Sequence, residues 1–294
     1  MILTVATAFI WASFDVISKF LMSNKLKNPS LAAAVVGLEM FSLYTLISLI
    51  FGDITYDSSI VIPSLLGGLA YFLANYTYYQ GITKTEVSRF APLLATNSIF
   101  IAVIAYFTIG ESFNLVVYVG IIFTVVGAYI ISLEDPRKTF TVLESKYGFI
   151  FGLSTAFLFA VRDIFVKTGT NQTGLLPVLI WFGIGGAIPS FLLLIKNRSD
   201  FKNLNIRNMK LLLPASVLLV LGYFVFTKAI SLGPVSLASA VVKIKLLLVV
   251  STSFLITKLR KGVLQDNFKK SVLIQKITAS ALVISGLILI SLYG

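Results

Sequence analysis

The chain has 294 residues, of which 57% are hydrophobic and 12% charged, whereas a soluble domain carries about 45–50% apolar and about 25% charged residues. That balance excludes a single soluble domain, and 24 Phe, 12 Tyr and 2 Trp exclude a disordered chain. With no Cys and no His, the chain has no disulfide, thiolate nucleophile, HExxH zinc site, Ser-His-Asp triad or histidine-ligated haem. A net charge of +12 would point to nucleic acid in a soluble protein. Here most charges lie in short loops between apolar runs, so the expected surroundings are a lipid bilayer and no nucleic-acid partner is expected.

About 20 mainly apolar residues are needed to cross the hydrocarbon core as a helix. Ten such runs are predicted: Ile2–Met22, Ser30–Phe51, Ile60–Ile82, Val87–Ile109, Leu115–Leu133, Tyr147–Thr168, Gly174–Ile195, Lys210–Ile230, Val235–Thr257 and Val272–Tyr293. The nine connections are short, and no separate soluble domain is expected. The first run carries Asp15 and Lys19 and has no basic residue before it, so it reads as a retained helix and not as a signal peptide. The connections after the odd-numbered runs, with their flanks, hold 17 Lys and Arg, from Lys25 and Lys27 to Lys269 and Lys270. Those after the even-numbered runs hold none, while Asp53, Asp57 and Glu111 lie there. By the positive-inside rule both termini are expected outside the cell membrane, with the basic loops in the cytoplasm.

The chain repeats internally. Phe9, Ala12, Asp15 and Lys19 recur 148 residues later as Phe157, Ala160, Asp163 and Lys167, and Ile82, Val87 and Ser88 recur as Ile230, Val235 and Ser236. Gly127, Ile131, Ser132 and Leu133 recur at an offset of 159, as Gly286, Ile290, Ser291 and Leu292. Five spans is an odd number, so two such halves enter the membrane from opposite sides, an arrangement that recurs in secondary transporters with the site between the halves. The expected fold is an all-α polytopic membrane protein of ten helices in two inverted repeats, residues 1–134 and 147–294, joined by a cytoplasmic linker at 135–146.

Two segments then carry a resemblance. Gln80-Gly-Ile-Thr-Lys-Thr-Glu-Val-Ser-Arg-Phe-Ala-Pro92 runs on to Gly110-Glu111, and Ala229-Ile-Ser-Leu-Gly-Pro-Val-Ser-Leu-Ala-Ser-Ala240 is its counterpart. With the five-plus-five organisation, they make the chain resemble the drug/metabolite transporter superfamily in its ten-helix EamA-type form. Pro92, Gly110 and Glu111 fit the family pattern. The second half departs from it, with Lys243 and Lys245 near the usual proline and no Gly-Glu after the ninth span. The resemblance implies transport of small metabolites, with export of amino acids or related compounds as the family-based expectation.

Charged residues inside apolar runs are the candidate functional residues, because each costs about 2.5–3.5 kcal/mol at mid-membrane unless paired or hydrated. Asp15 and Asp163 are candidate proton or ion carriers. Lys19 and Lys167, four residues further on, read as structural partners or interfacial side chains. Arg162 lies about 100° round the helix from Asp163 and is expected to pair structurally with an acid on another span, Glu39 being available. Lys243 and Lys245 sit near the centre of the ninth span and point about 200° apart on a regular helix. Both face one cavity only if that helix is broken, and a cavity lysine favours an anionic group. Tyr71, Asn75 and Tyr79 of span 3, Tyr223 of span 8, Asn97 of span 4 and Trp11 of span 1 complete the candidate substrate-binding set.

The composition and these residues point to a secondary transporter without cofactor or metal, coupled to a proton or a counter-substrate. The alternatives are an antiporter for phosphorylated or carboxylated organic anions and, in another class, an intramembrane lipid-modifying enzyme. No DDxxD run and no GxxxxGK[ST] loop is present.

Overall fold

The computed structural model describes residues 1–24, 28–84, 93–132, 146–202, 206–245, 247, 248 and 270–293. Among these residues the secondary structure is entirely helical. In chain order the helices are α1 (Ile2–Asn24), α2 (Pro29–Phe51), α3 (Ser58–Lys84), α4 (Asn97–Ile109), α5 (Leu115–Ser132), α6 (Lys146–Thr170), α7 (Leu175–Lys196), α8 (Arg198–Lys202), α9 (Ile206–Leu232), α10 (Val235–Val242) and α11 (Lys270–Tyr293). The sequence did not anticipate α8, one short polar turn after α7.

Four helical segments are long and apolar enough to cross a membrane: Pro29–Phe51, Ser58–Gly81, Tyr147–Thr170 and Leu175–Lys196. Shorter apolar stretches occupy Ile2–Phe14, Leu93–Ile109, Leu115–Ile130, Ser216–Leu232 and Ile277–Tyr293. The difference from ten full spans has two sources. Parts of the predicted spans 1, 4, 5, 8, 9 and 10 fall outside the described residues or side chains, and the helix that opens span 9 ends early, at Val242.

Helix starts follow local chemistry. Asn28 precedes Pro29 at the start of α2, and its Oδ1 accepts from the Leu31 amide at 3.1 Å, an N-cap followed by a proline that needs no donor there. Asp57 accepts from the amide and hydroxyl of Ser59 at 2.9 and 2.8 Å as α3 begins, and these bonds hold its carboxyl below the usual aspartate range. Gly110 ends α4 with φ 69°, a left-handed conformation that favours glycine.

Packing follows a reciprocal pattern. The main partners are α3 with α6 and α1 with α9, α4 with α6 and α1 with α10, α3 with α7 and α2 with α9. Helix α2 also packs on its chain neighbour α3, and α2 with α7, α5 with α11 and α4 with α10 join elements at equivalent places in the two halves expected from the sequence. Small residues allow close crossings, as expected where helices associate in lipid. A Cβ at Gly68 of α3 would meet the Phe182 carbonyl and the Gly186 amide of α7. Gly120 and Gly286 stand backbone to backbone between α5 and α11. The Gly183, Gly185 and Gly186 cluster is likewise packing surface, against Phe41, Thr45 and Leu65. The largest buried side chains, Tyr44, Tyr223, Phe41, Phe182 and Phe226, fill the middle, while Ile50, Phe51, Phe107 and Leu115 face outward. This is the distribution of a chain with apolar surroundings.

Candidate polar site between the helices

Helix α6 brings Arg162 and Asp163 into the interior, 4% and 1% exposed. Arg162 Nε donates to Asp163 Oδ1 at 2.7 Å. The expectation that Arg162 pairs across to Glu39 is corrected: adjacent residues about 100° apart on a helix still meet when the long arginine side chain folds back. Glu39 of α2 instead accepts from Ser216 Oγ at 2.6 Å. The guanidinium is boxed by three rings, its Cζ lying 4.5 Å from the centre of Tyr71, 4.7 Å from Phe159 and 4.5 Å from Tyr223. Cation–π contacts of this kind are worth about 2 kcal/mol or more when desolvated. Tyr71 and Tyr223 pack at 5.0 Å, and Phe182 stacks on Tyr223 at 5.2 Å. Tyr44 lies edge-on to Tyr223 and donates to the Leu219 carbonyl at 3.1 Å.

The second polar group joins α4 and α10. Lys243 Nζ donates to Asn97 Oδ1 at 2.6 Å, Ser239 Oγ donates to the same oxygen at 3.1 Å, and the Ser98 and Ser239 hydroxyls are 2.8 Å apart. Lys243 is 8% exposed. It ends α10 in a tightened turn, with its amide bonded to the Ala240 carbonyl and the Ile244 amide to Val241. Lys245 Nζ lies over the Trp11 ring at 5.7 Å. The regular helix therefore stops between the two lysines' positions and Ala240. Lys243 takes a neutral amide as its hydrogen-bond partner.

Several buried polar atoms have no hydrogen-bond partner among the described residues: Trp11 Nε1, Asn75 Nδ2 and Tyr223 Oη belong to this region. Asn75 lies one turn from Tyr71 along α3. Trp11 packs on Phe226 at 5.3 Å and closely on Gly222, where a Cβ would run into the indole. Tyr79 is buried two turns beyond Tyr71 and edge-on to Tyr78 at 5.4 Å. Lys167 does not pair with Asp163. Its Nζ donates to the carbonyls of Ile230 and Gly233 at 2.6 and 2.9 Å, at the end of α9. The side chains of Asp15 and Lys19, and residue Pro92, lie outside the described residues.

Sequence reasoning missed Glu111 as a long-range cap. The Glu111 carboxylate accepts from the Val235 amide at 2.7 Å, the Ser236 amide at 3.1 Å and the Ser236 hydroxyl at 2.7 Å. A signal was available. Pro234 in front of α10 offers no side-chain cap, and Gly110-Glu111 is a turn followed by an acid. Among the described residues no group of three or more His, Cys, Asp or Glu is placed to hold a metal.

Comparison with known proteins agrees with this architecture. A crystal structure described as "Crystal structure of protein" aligns over 99% of this chain and 96% of its own at a TM-score of 0.73 and 13% identity, a shared fold. Solute carrier family 35 member F5 of Macaca fascicularis is 25% identical over 126 residues, 42% of this chain and 29% of that protein. The Bos taurus protein of the same name is 25% identical over 126 residues, 42% of this chain and 24% of that protein. The chain thus spans less than a third of the length of these curated relatives. Residues 1–133 match the EamA-like transporter family. With four helices able to cross a bilayer, the chain is a multi-pass membrane protein whose residues 1–133 are similar to EamA-like transporters.

Proposed function

We propose that the protein is a secondary active transporter that moves a small polar metabolite, an amino acid or a related compound, out of the cell by alternating access. The observation that carries this reading is the buried polar group where helices of both sequence repeats meet. Arg162 and Asp163 come from α6, Tyr71 and Asn75 from α3, Tyr223 from α9, and Asn97 and Lys243 from α4 and α10. Burying such groups is costly in a bilayer, and function is the usual reason to retain them. The reciprocal helix pairing supports two inverted halves that rock about this region. Asp163, and Asp15 at the matching place in the repeat, are the proposed proton or ion carriers. Lys243 is the proposed anchor for the anionic end of the substrate, with Lys245, Asn75, Asn97, Tyr71, Tyr79, Tyr223 and Trp11 around it. Membrane orientation, with both termini outside the plasma membrane, rests on the loop charges.

One observation favours the second reading, exchange of carboxylated or phosphorylated organic anions. The atoms without partners include two N–H donors, Trp11 Nε1 and Asn75 Nδ2, and the Tyr223 hydroxyl, which can also donate. Such groups complement an acceptor-rich ligand. Flux into proteoliposomes tests both readings, with neutral amino acids, dicarboxylates and sugar phosphates offered separately, with and without a pH gradient. Saturable, gradient-driven uptake of an amino acid supports the first. Uptake of an anion only against an internal anion supports the second. No uptake of any class, with turnover of a lipid substrate instead, contradicts transport and favours the lipid-modifying enzyme.

A further inference from the structure

The turn between α9 and α10 is held by two side chains of opposite charge that reach it from other helices. The Lys167 ammonium takes the carbonyls of Ile230 and Gly233, and the Glu111 carboxylate takes the amides of Val235 and Ser236 and the Ser236 hydroxyl. Each charge sits at the helix end whose dipole favours it, a cation at the α9 C-terminus and an anion at the α10 N-terminus. All five bonds are charge-assisted, the stronger kind. The two grips differ in origin. Lys167 belongs to the same sequence repeat as the turn. Glu111 belongs to the other, on the connection that follows Gly110.

Glu111 therefore does more than cap a helix. It ties the start of α10 to the first repeat, while Asn97 and Ser98 tie its far end through Lys243 and Ser239. Two halves that rock about a central site must break cross-half contacts at one face in each cycle. An acid bonded to backbone amides is a contact that can release, since water satisfies both sides once the faces part. In the sequence, no Gly-Glu pair follows the ninth span at the place equivalent to Gly110-Glu111.

We propose that Glu111 is a gate residue: its bonds to Val235 and Ser236 hold the two repeats together at this face, and their release opens the polar site to that side. Lys167 positions the turn so that Glu111 finds it. The proposal rests on the alternating-access reading above. A local cap and a cross-half tether differ in what replaces them. An acid at residue 234, the N-cap of α10, restores the cap without crossing between the repeats.

The chain contains no Cys, so two substitutions suffice for a spin-label pair. Leu115 and Leu232, both exposed at the two sides of this contact, are changed to Cys, and the distance distribution is measured in lipid nanodiscs. Glu111→Ala is expected to add a longer-distance population. Glu111→Ala with Pro234→Asp is expected to recover the thermal midpoint yet keep that population, and Glu111→Asp is expected to fall between the original chain and Glu111→Ala. An unchanged distribution in Glu111→Ala overturns the proposal, as does a full return to the original distribution when Pro234→Asp restores the cap. The distance reading needs no substrate. Failure of transport with a Glu111-dependent distribution therefore counts against the transporter reading alone, and transport with a Glu111-independent distribution counts against the gate alone.

Discussion

Among the buried cations of the described residues, Arg162 and Lys243 are treated by the fold in opposite ways. Arg162 has a carboxylate at 2.7 Å and three aromatic rings within 5 Å of its guanidinium carbon. Lys243 has the carbonyl oxygen of an amide, which Ser239 shares. The first cation is neutralised and immobilised. The second is held by the oxygen of a neutral amide, and no carboxylate hydrogen-bonds it among the described residues. A group that is neutralised and boxed defines the shape of a site, whereas one held by a neutral amide can exchange that partner for a ligand. On this contrast we propose Arg162 as the scaffold and Lys243 as the contact.

The contrast is broken most forcefully from the Arg162 side. Asp163→Ala leaves a buried guanidinium without its counter-charge and is expected to cost about 3–5 kcal/mol, the usual penalty for removing one partner of a buried pair. Chemical denaturation in mixed micelles measures it. Adding Arg162→Met to Asp163→Ala should recover much of the loss, because an apolar replacement of both partners removes the uncompensated charge. A double variant as unstable as the single one would show that the aromatic box, and not the charge, sets the cost.

From the Lys243 side the expected stability effect is smaller. Lys243→Met is expected to change stability by about 1 kcal/mol or less, since Asn97 Oδ1 keeps its bond from Ser239. Transport should nevertheless fall strongly. A loss of stability comparable to that of Asp163→Ala would erase the contrast.

Tyr223→Phe sharpens the boundary between scaffold and contact. Its ring walls the arginine box and its hydroxyl makes no hydrogen bond of full geometry among the described residues. Removing the hydroxyl is expected to be neutral or to stabilise by about 1 kcal/mol, because an unsatisfied buried polar atom is removed, while substrate affinity falls. Equal affinity in the two proteins would assign the hydroxyl no ligand role.

The smallest effect lies far from both cations, at Asp57. Its carboxyl is held below the usual range by Ser59, so the ionised form is favoured in the folded state. That contribution is present at neutral pH and is lost as the pH falls from the ordinary value of about 3.9 through the lowered native one. Asp57→Asn should lower the thermal midpoint slightly at pH 7 and leave it unchanged in strong acid. An equal shift at both values would mean that the charge is irrelevant to the cap.

The sequence was most legible where composition decides. The apolar runs of α2, α3, α6 and α7 follow from composition alone, whereas the caps at Asn28 and Asp57 and the close crossings at Gly68 and Gly120 are seen only in the folded chain. The polar residues of the interior could also be named, since a charge in an apolar run marks itself. Their partners could not. Arg162 folds back onto its neighbour, a rotamer choice made by the Tyr71, Phe159 and Tyr223 box that only the folded chain assembles. Lys167 leaves Asp163 for carbonyls on α9, more than 60 residues further along the chain. Glu111 reaches α10 across 124 residues. Each outcome depends on which helices pack together, and periodicity carries no information about that.

The central claim is that Lys243 faces substrate while Arg162 holds the site. Ligand-dependent thermal stabilisation of the purified protein in detergent tests it most directly, comparing the unaltered chain with Lys243→Met and Lys243→Arg against neutral amino acids, dicarboxylates and sugar phosphates. The account predicts that one class raises the midpoint of the unaltered chain, that the rise disappears in Lys243→Met, and that Lys243→Arg retains part of it. A rise of equal size in Lys243→Met would contradict the account, making Lys243 a structural bond to Asn97 and moving the ligand to Asn75 and the tyrosines.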